Sequence, residues 1–138
     1  MHVPLDRVER VVISHWHSDH SGGLLSFLNL RNATRGRDAM PCVVDVHPDR
    51  PIARGIAPGP TFDKVICRLP DDPTFELIER EGGVLEKHSE GHTVADNTLW
   101  VSGEIPRVTP FESGLPGHMR WVEGVSGETG KWTKEWVC

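Results

Sequence analysis

Residues 15–20 place three histidines and one aspartate within six positions, in the order His-Trp-His-Ser-Asp-His. The cluster follows a β-branched run at 11–13 and precedes Ser21, Gly22 and Gly23, so we expect a tight loop after a strand. Neutral imidazole and carboxylate hold divalent ions such as zinc, at about 2.0–2.2 Å. A merely polar, exposed loop is the alternative interpretation, but it does not require four ligand-type residues at this density. The pattern therefore predicts a metal site.

The spacing allows two ions. His15 and His17 stand at positions i and i+2 and can converge on one ion, while Asp19 and His20 follow directly and can serve a second. Two metals about 3.5–4 Å apart can clamp both the attacking and the leaving oxygen, and a metal lowers the pKa of its bound water toward about 7. Such a site performs hydrolysis without a serine or cysteine nucleophile.

The segment from Val11 to Leu24, VVISHWHSDHSGGL, closely resembles the metal-binding segment of the metallo-β-lactamase fold superfamily. The resemblance implies that His15 and His17 bind metal one, that Asp19 and His20 bind metal two, and that Asp19 also orients the nucleophile. It implies an α/β fold, the αββα sandwich of that superfamily. It further implies a metal-dependent hydrolase or group-transfer enzyme that acts on a small molecule through a metal-bound hydroxide. Zinc is the expected metal, as two ions, with iron or manganese as alternatives.

A second segment, SGEIPR at 102–107, is followed by Phe111, Glu112 and Gly114. It resembles the dihydropterin (methanopterin-precursor) synthase-like branch of the superfamily. Arg107 could contact an anionic substrate group, because guanidinium matches phosphate and carboxylate. A solvated turn after a strand is the alternative interpretation of the same residues.

The chain also departs from the family pattern. It reaches the histidine cluster by residue 15 and contains no downstream GCxHxG segment, so we expect a partial domain, truncated at both ends and impaired in activity. His92 in a Gly-His-Thr segment could supply a third metal ligand, and Glu104 could stand near the place of a bridging aspartate. His118 could line a substrate pocket, although an exposed loop position is the favoured interpretation. His88 is expected to be solvated, and neither His2 nor His47 has a constellation around it.

Composition limits the class of protein. The 138 residues suit one domain spanning 1–138, and the net charge of −5 provides no sequence-wide basic footprint for nucleic acid. A superfamily nuclease is one alternative function, with only the cluster Arg31, Arg35 and Arg37 to support it; a non-catalytic metal-binding remnant is the other. Three dispersed cysteines suit a reducing compartment, and neither a signal peptide nor a membrane span is evident, so we expect a cytoplasmic protein. Unpaired sheet edges in a partial domain would favour self-association.

Periodicity and breaker residues predict alternating strands and helices. Strands are expected at 7–14, 42–46, 62–69, 84–87 and 98–101. Helices are expected at 23–30 and 73–81, with a basic loop at 31–38, an irregular stretch at 47–60 and no clear pattern after Arg107.

Overall fold

The computed structural model describes residues 4–36, 40–111, 114–124 and 129–135. His2, Arg37 and Glu112, all named above, lie outside these ranges, as does Cys138, one of the three cysteines. The chain divides into two compact units. The first comprises Met1–Pro48 and Pro73–Glu104, and the second comprises Asp49–Asp72 and Ile105–Cys138.

Helices and strands alternate along the described chain, with strands in several sheets. The helices are α1 (Ser18–Ser21), α2 (Leu24–Thr34) and α3 (Phe75–Arg80). The strands are β1 (Arg10–Val12), β2 (Cys42–Val46), β3 (Arg54–Ile56), β4 (Cys67–Arg68), β5 (Gly83–Lys87), β6 (His92–Val94), β7 (Leu99–Val101), β8 (His118–Val122) and β9 (Lys131–Lys134). None of the helices in the described residues combines the length and apolar character needed to cross a membrane.

A parallel sheet of order β1-β2-β5 forms the centre of the first unit. The central strand β2 is mostly buried, as expected for a strand in a parallel sheet whose faces are covered. Its side chains join a single core, whose buried members are Trp16, Leu24, Leu28, Cys42, Val44, Val46 and Ile78. Because all three strands run the same way, their carboxyl ends meet at one edge, and residues that follow those ends are brought together there.

Helix α2 is longer than the sequence predicted, and its last turn explains why. Arg31 was expected in an exposed basic loop at 31–38, but it lies in the helix with its side chain fully buried. Its Nε donates to the carbonyl of Val8 (2.8 Å) and its Nη2 to that of Met40 (2.6 Å). The guanidinium satisfies backbone acceptors that burial would otherwise leave without water. Arg31 therefore stabilises the fold and cannot belong to a basic surface.

Helix α3 was predicted from residue 73 and begins two residues later, at Phe75. Thr74 is its N-cap, and its hydroxyl accepts a hydrogen bond from the backbone N–H of Leu77 (3.2 Å). Gly82 ends the helix with φ of +82°, a conformation that glycine adopts without steric cost. The helix buries Ile78 in the core of the first unit.

The second unit is built on an antiparallel sheet of order β4-β3-β8-β9. Arg54 and Asp72 are both buried and form a two-pronged ion pair, with Nε and Nη2 donating at 2.9 and 2.8 Å. The Glu135 carboxylate lies 3.8 Å from the Arg54 Nε. On the β8–β9 pair, the rings of Trp121 and Trp132 meet edge to face with centroids 5.4 Å apart.

The strand predictions at 42–46, 84–87 and 98–101 are confirmed within one residue. Two others are wrong in extent: only 10–12 of the 7–14 prediction and 67–68 of the 62–69 prediction form strands, and residue 7 ends a short 3-10 helix, Leu5–Arg7. The stretch at 47–60, predicted to be irregular, contains β3. Strands β6, β8 and β9 were not predicted, because their short runs of mixed polarity lack a repeated pattern.

Candidate metal centre

The predicted metal-binding loop leaves the carboxyl end of β1. The backbone N–H of Ile13 donates to the carbonyl of Asp45 (2.9 Å), which extends the pairing of the sheet beyond the last residue of β1. Trp16, between the first two histidines, is buried in the core. Its Nε1 donates to the carbonyl of His47 (3.0 Å), and its ring meets Phe75 edge-on. This tryptophan therefore fixes the middle of the loop to the sheet.

The structure brings the three imidazoles of the loop together. His15 Nε2 lies 3.2 Å from His17 Nδ1, and the rings of His15 and His20 have centroids 4.0 Å apart. The hydroxyl of Ser14 lies 3.1 Å from His15 Nδ1 and 3.2 Å from His20 Nδ1. Helix α1, which was not predicted inside the loop, returns His20 toward His15. One hydroxyl thus contacts two of the three rings.

The separation of the His15 and His17 nitrogens fits two ligands of one metal ion. Two ligand atoms at about 2.1 Å from a tetrahedral ion lie about 3.4 Å apart, close to the separation of the His15 and His17 nitrogens. Asp19 is largely exposed, and its Oδ2 lies 3.4 Å from His20 Nε2. Asp19 and His20 therefore form an adjacent pair, as the two-ion prediction supposes. The ligand roles of His15, His17, Asp19 and His20 stay predictions.

A second cluster lies at the same edge of the sheet and centres on Asp45, the fourth residue of β2. Its carboxylate is buried and accepts hydrogen bonds from His88 Nδ1 (3.0 Å) and His92 Nε2 (2.8 Å). The two imidazoles stack with centroids 3.8 Å apart. We name these three residues the Asp45 cluster. The expectation that His88 is simply solvated is wrong, because its ring is held between Asp45 and His92.

Hydrogen-bond chemistry sets the charges in the Asp45 cluster. His92 Nδ1 faces the carbonyl of Glu90 (3.1 Å), so both ring nitrogens meet acceptors, and only the imidazolium can donate to both. The hydrogen bond to Asp45, followed by that to Glu90, accordingly raises the pKa of His92. Burial alone would raise the pKa of Asp45, but hydrogen bonds from His92 and His88 outweigh burial and lower it. Asp45 is therefore an ionised carboxylate.

A guanidinium completes the surroundings of Asp45. Arg10 Nη1 donates to Asp45 Oδ2 (2.9 Å) and to Glu86 Oε2 (2.7 Å). The hydrogen bond to Glu86 is the largest influence on Arg10, whose pKa is raised. The register of the sheet produces this arrangement, since Asp45 pairs with Val12 on one side and with Glu86 on the other.

Two further predicted residues can now be placed. Glu104 is exposed, and its carboxylate lies 3.7 Å from His47 Nε2. His118 is half-buried on β8 of the second unit, so the interpretation as an exposed loop histidine is wrong. A role of either residue at a metal stays untested.

Sequence reasoning missed Asp45. It was interpreted only as part of a buried strand, Cys-Val-Val-Asp-Val. The available signal was a carboxylate within that apolar run, since a charged residue inside a buried strand needs a partner. The sequence did not show which residues would provide it, because His88 and His92 lie more than forty positions away.

Comparison with known families agrees with this geometry. A family model described as the metallo-beta-lactamase superfamily matches residues 1–108. The chain belongs to that superfamily. No curated protein and no solved structure gave a significant match. The mixture of helices and strands in several sheets and the presence of His/Asp groups able to hold a metal both fit this family.

Proposed function

We propose that this chain is a metal-dependent hydrolase or group-transfer enzyme that acts on a small molecule. The observation that carries the proposal is the approach of His17 and His20 to His15 at the carboxyl end of β1, with the Ser14 hydroxyl contacting the rings of His15 and His20. Membership in a superfamily that binds divalent metals supports it. The αββα sandwich implied by the resemblance and a single domain over 1–138 are parts of the same proposal.

The proposed metal ligands are assigned in the order in which they occur along the loop. His15 and His17 hold one ion, and Asp19 and His20 hold a second; zinc is the first choice, and iron or manganese also suits these ligands. When bound, such ions supply Lewis acidity and lower the pKa of a water molecule. The Ser14 hydroxyl orients the His15 and His20 rings through their Nδ1 atoms. Asp19 orients the reacting water by accepting its hydrogen bond.

We also propose that the chain belongs to the dihydropterin synthase-like branch, on the basis of the segment at 102–107. Two contacts support a defined position for the start of this segment. The Glu104 N–H donates to the carbonyl of Ser89 (2.8 Å), and Gly103 has φ of +71° with no room for a Cβ beside Glu90. In this proposal Arg107 contacts an anionic group of the substrate. Arg107→Lys should raise KM more than it lowers kcat, whereas an unchanged KM would contradict that role.

The experiment begins with chain freed of metal by chelation and reloaded with zinc, manganese or iron(II). Phosphodiester, lactone and thioester substrates are then assayed. We expect metal-dependent turnover of one class, at least about a hundredfold lower in the double variant His15→Ala/His17→Ala. His47→Gln is the matched control, since it removes another histidine near the same sheet edge and should change turnover less than about threefold. Equal turnover by the double variant and the control would contradict the proposal.

Metal analysis separates the proposal from a non-catalytic metal-binding protein. Asp19→Ala should deplete the second ion of the loop and lower turnover, while leaving the ion held by His15 and His17. Bound metal without turnover on any substrate class would favour the non-catalytic alternative. Metal content unchanged in Asp19→Ala would contradict the assignment of that carboxylate.

A further inference from the structure

We propose that Asp45, His88 and His92 form an additional divalent-cation site, separate from the site of the 15–20 loop. Neither Asp45 nor His88 belongs to the ligand pattern that the family resemblance assigns, and His92, considered above as a third ligand for the loop, has its Nε2 2.8 Å from Asp45 Oδ2 and is assigned here to the Asp45 cluster instead. The inference therefore goes beyond the proposed function and does not depend on catalysis.

The donor atoms are already close to a coordination geometry. One ligand atom from each residue lies within 4.8 Å of the other two. His92 Nε2 and His88 Nδ1 stand 2.8 and 3.0 Å from the two oxygens of one carboxylate. Ligands of a tetrahedral zinc ion are about 3.4 Å apart. Outward shifts of a few tenths of an ångström would therefore admit an ion between the rings and the carboxylate.

Secondary structure holds each ligand in place. Asp45 lies in the central strand, His92 begins β6, and His88 directly follows β5 with its N–H bonded to the carbonyl of Val46 (3.0 Å). Ligands carried by paired strands are preorganised, which lowers the cost of ordering them on binding. The side chain of Asp45 is 3% exposed, whereas those of His88 and His92 are 35% and 18% exposed. The site is closed on the carboxylate side and reachable by water and ions on the histidine side.

The local charge favours a cation. Asp45 and Glu86 carry two negative charges, and Arg10 supplies one positive charge against them. Once the His92 imidazolium gives up its proton, the group retains one net negative charge. His88 and His92 now donate hydrogen bonds to Asp45. A divalent ion would replace the protons of these hydrogen bonds, which are released to solvent. Arg10 competes for the same carboxylate oxygen, Oδ2, but retains Glu86 at 2.7 Å when an ion binds.

The donor set indicates the kind of ion. Two imidazole nitrogens and one carboxylate oxygen suit zinc and its neighbours cobalt, nickel and copper better than magnesium or calcium, which prefer oxygen. Three protein ligands leave a fourth position for water. We therefore use zinc as the probe.

The test measures zinc binding to metal-free full-length chain by calorimetry and by metal analysis after gel filtration. The loop variant His15→Ala/His17→Ala/His20→Ala, which lacks the imidazole ligands of both proposed loop ions, should still bind one zinc ion. Adding His88→Ala to this loop variant should weaken that binding by at least about tenfold, and adding Asp45→Asn should do the same. His47→Gln in the same background is the control and should stay within about twofold. Circular dichroism verifies that each variant folds. If Asp45→Asn does not fold, His88→Ala still tests the site, because the side chain of His88 is 35% exposed and its loss should be tolerated better.

Two results would overturn the inference. One is that the loop variant binds no zinc, which would mean that any ion belongs to the loop alone. The other is equal zinc affinity with and without His88→Ala. Arg10→Met gives an independent readout, because removing the competing cation should tighten zinc binding severalfold; unchanged or weaker binding would count against the site. Turnover is not part of this test, so its outcome is separable from that of the proposed function.

Discussion

Asp45 shows how one residue can organise the edge of a sheet. Its carboxylate is buried yet ionised, and it accepts hydrogen bonds from Arg10, His88 and His92. A buried charge is tolerated only when partners replace the water that it loses. These partners come from the strand before β2 and from the segment around the end of β5 and the start of β6. Asp45 thus ties together three parts of the first unit.

Replacing Asp45 by alanine should lower the free energy of unfolding by about 2–3 kcal/mol, because three donors lose a charged acceptor. The measurement is urea denaturation in the presence of a chelator, so that no metal contributes. Glu86→Gln is the control: this exposed partner of Arg10 should cost less than about 1 kcal/mol. Equal losses in the two variants would contradict the role given to burial.

In the second unit, burial has the opposite outcome for Glu135, because it raises the pKa of this carboxyl rather than being outweighed by hydrogen bonds. Burial is the main cause that raises the pKa of this carboxyl to about 7, against the opposing charges of Arg54 and Arg120. A carboxyl whose pKa is higher in the folded state than in the unfolded chain stabilises the fold when it is protonated. That contribution is complete below about pH 4.5 and is lost as the pH rises through about 7.

The stability of the wild-type chain relative to Glu135→Gln should therefore fall between pH 5 and pH 8, by up to about 3 kcal/mol. Chemical denaturation of both proteins at several pH values measures this difference. Glu123→Gln replaces an exposed carboxylate of the same unit and should give a difference that does not change with pH. A flat difference for Glu135→Gln would show that its carboxyl titrates normally.

At the scale of the elements, the stability of helix α3 depends on its N-cap residue, Thr74. The helix has only six residues, too few for helix propensity alone to stabilise it. The Thr74 hydroxyl caps it at one end, and Ile78 anchors it in the core. The sequence predicted a helix over 73–81 but did not identify Thr74 as its cap.

Thr74→Ala should lower the free energy of unfolding by about 1 kcal/mol, because the N–H of Leu77 loses its acceptor. Thr34→Ala is the matched control, since its hydroxyl only donates to carbonyls already within the last turn of α2. It should change stability by less than about 0.5 kcal/mol. Thermal unfolding measures both, and equal shifts would contradict the capping role.

Gly103, two residues after the end of β7, is a second position at which a substitution should destabilise the fold. Gly103→Ala should cost about 2 kcal/mol or more, because a Cβ at φ of +71° would also lie 2.5 Å from the carbonyl carbon of Glu90. Gly36→Ala is the control, with open space around its Cβ position. Urea denaturation compares the two variants, and a neutral Gly103→Ala would show that this segment is not held against Ser89 and Glu90.

At the scale of the whole molecule, the sequence predicts one domain, and we keep this as a proposal. Ile78→Ala, in the core of the first unit, should lower stability by about 3 kcal/mol. If the chain unfolds as one cooperative domain, hydrogen exchange should also become faster in β8 and β9 of the second unit. Hydrogen exchange followed by mass spectrometry tests this. Unchanged exchange in β8 and β9 would contradict a single cooperative domain.

The sequence by itself determined the local features of this protein. The dense histidine cluster identified its superfamily, the apolar run at 42–46 predicted the central strand, and the glycine at 82 marked the end of α3. These features depend on neighbours within a few positions, so their pattern is visible in a linear chain. The short strands β6, β8 and β9 escaped prediction because their pairing partners, not their own residues, stabilise them.

Only the tertiary structure decided which distant side chains meet. It placed Arg31 in the interior, where two backbone carbonyls accept its hydrogen bonds, rather than on a basic surface. It also brought His88 and His92 to Asp45, through the register of a parallel sheet whose strands are far apart in sequence. The exposure, partners and charge of a side chain depend on such long-range packing. Burial removes water, so the nearest polar groups determine whether a buried charge is stabilised.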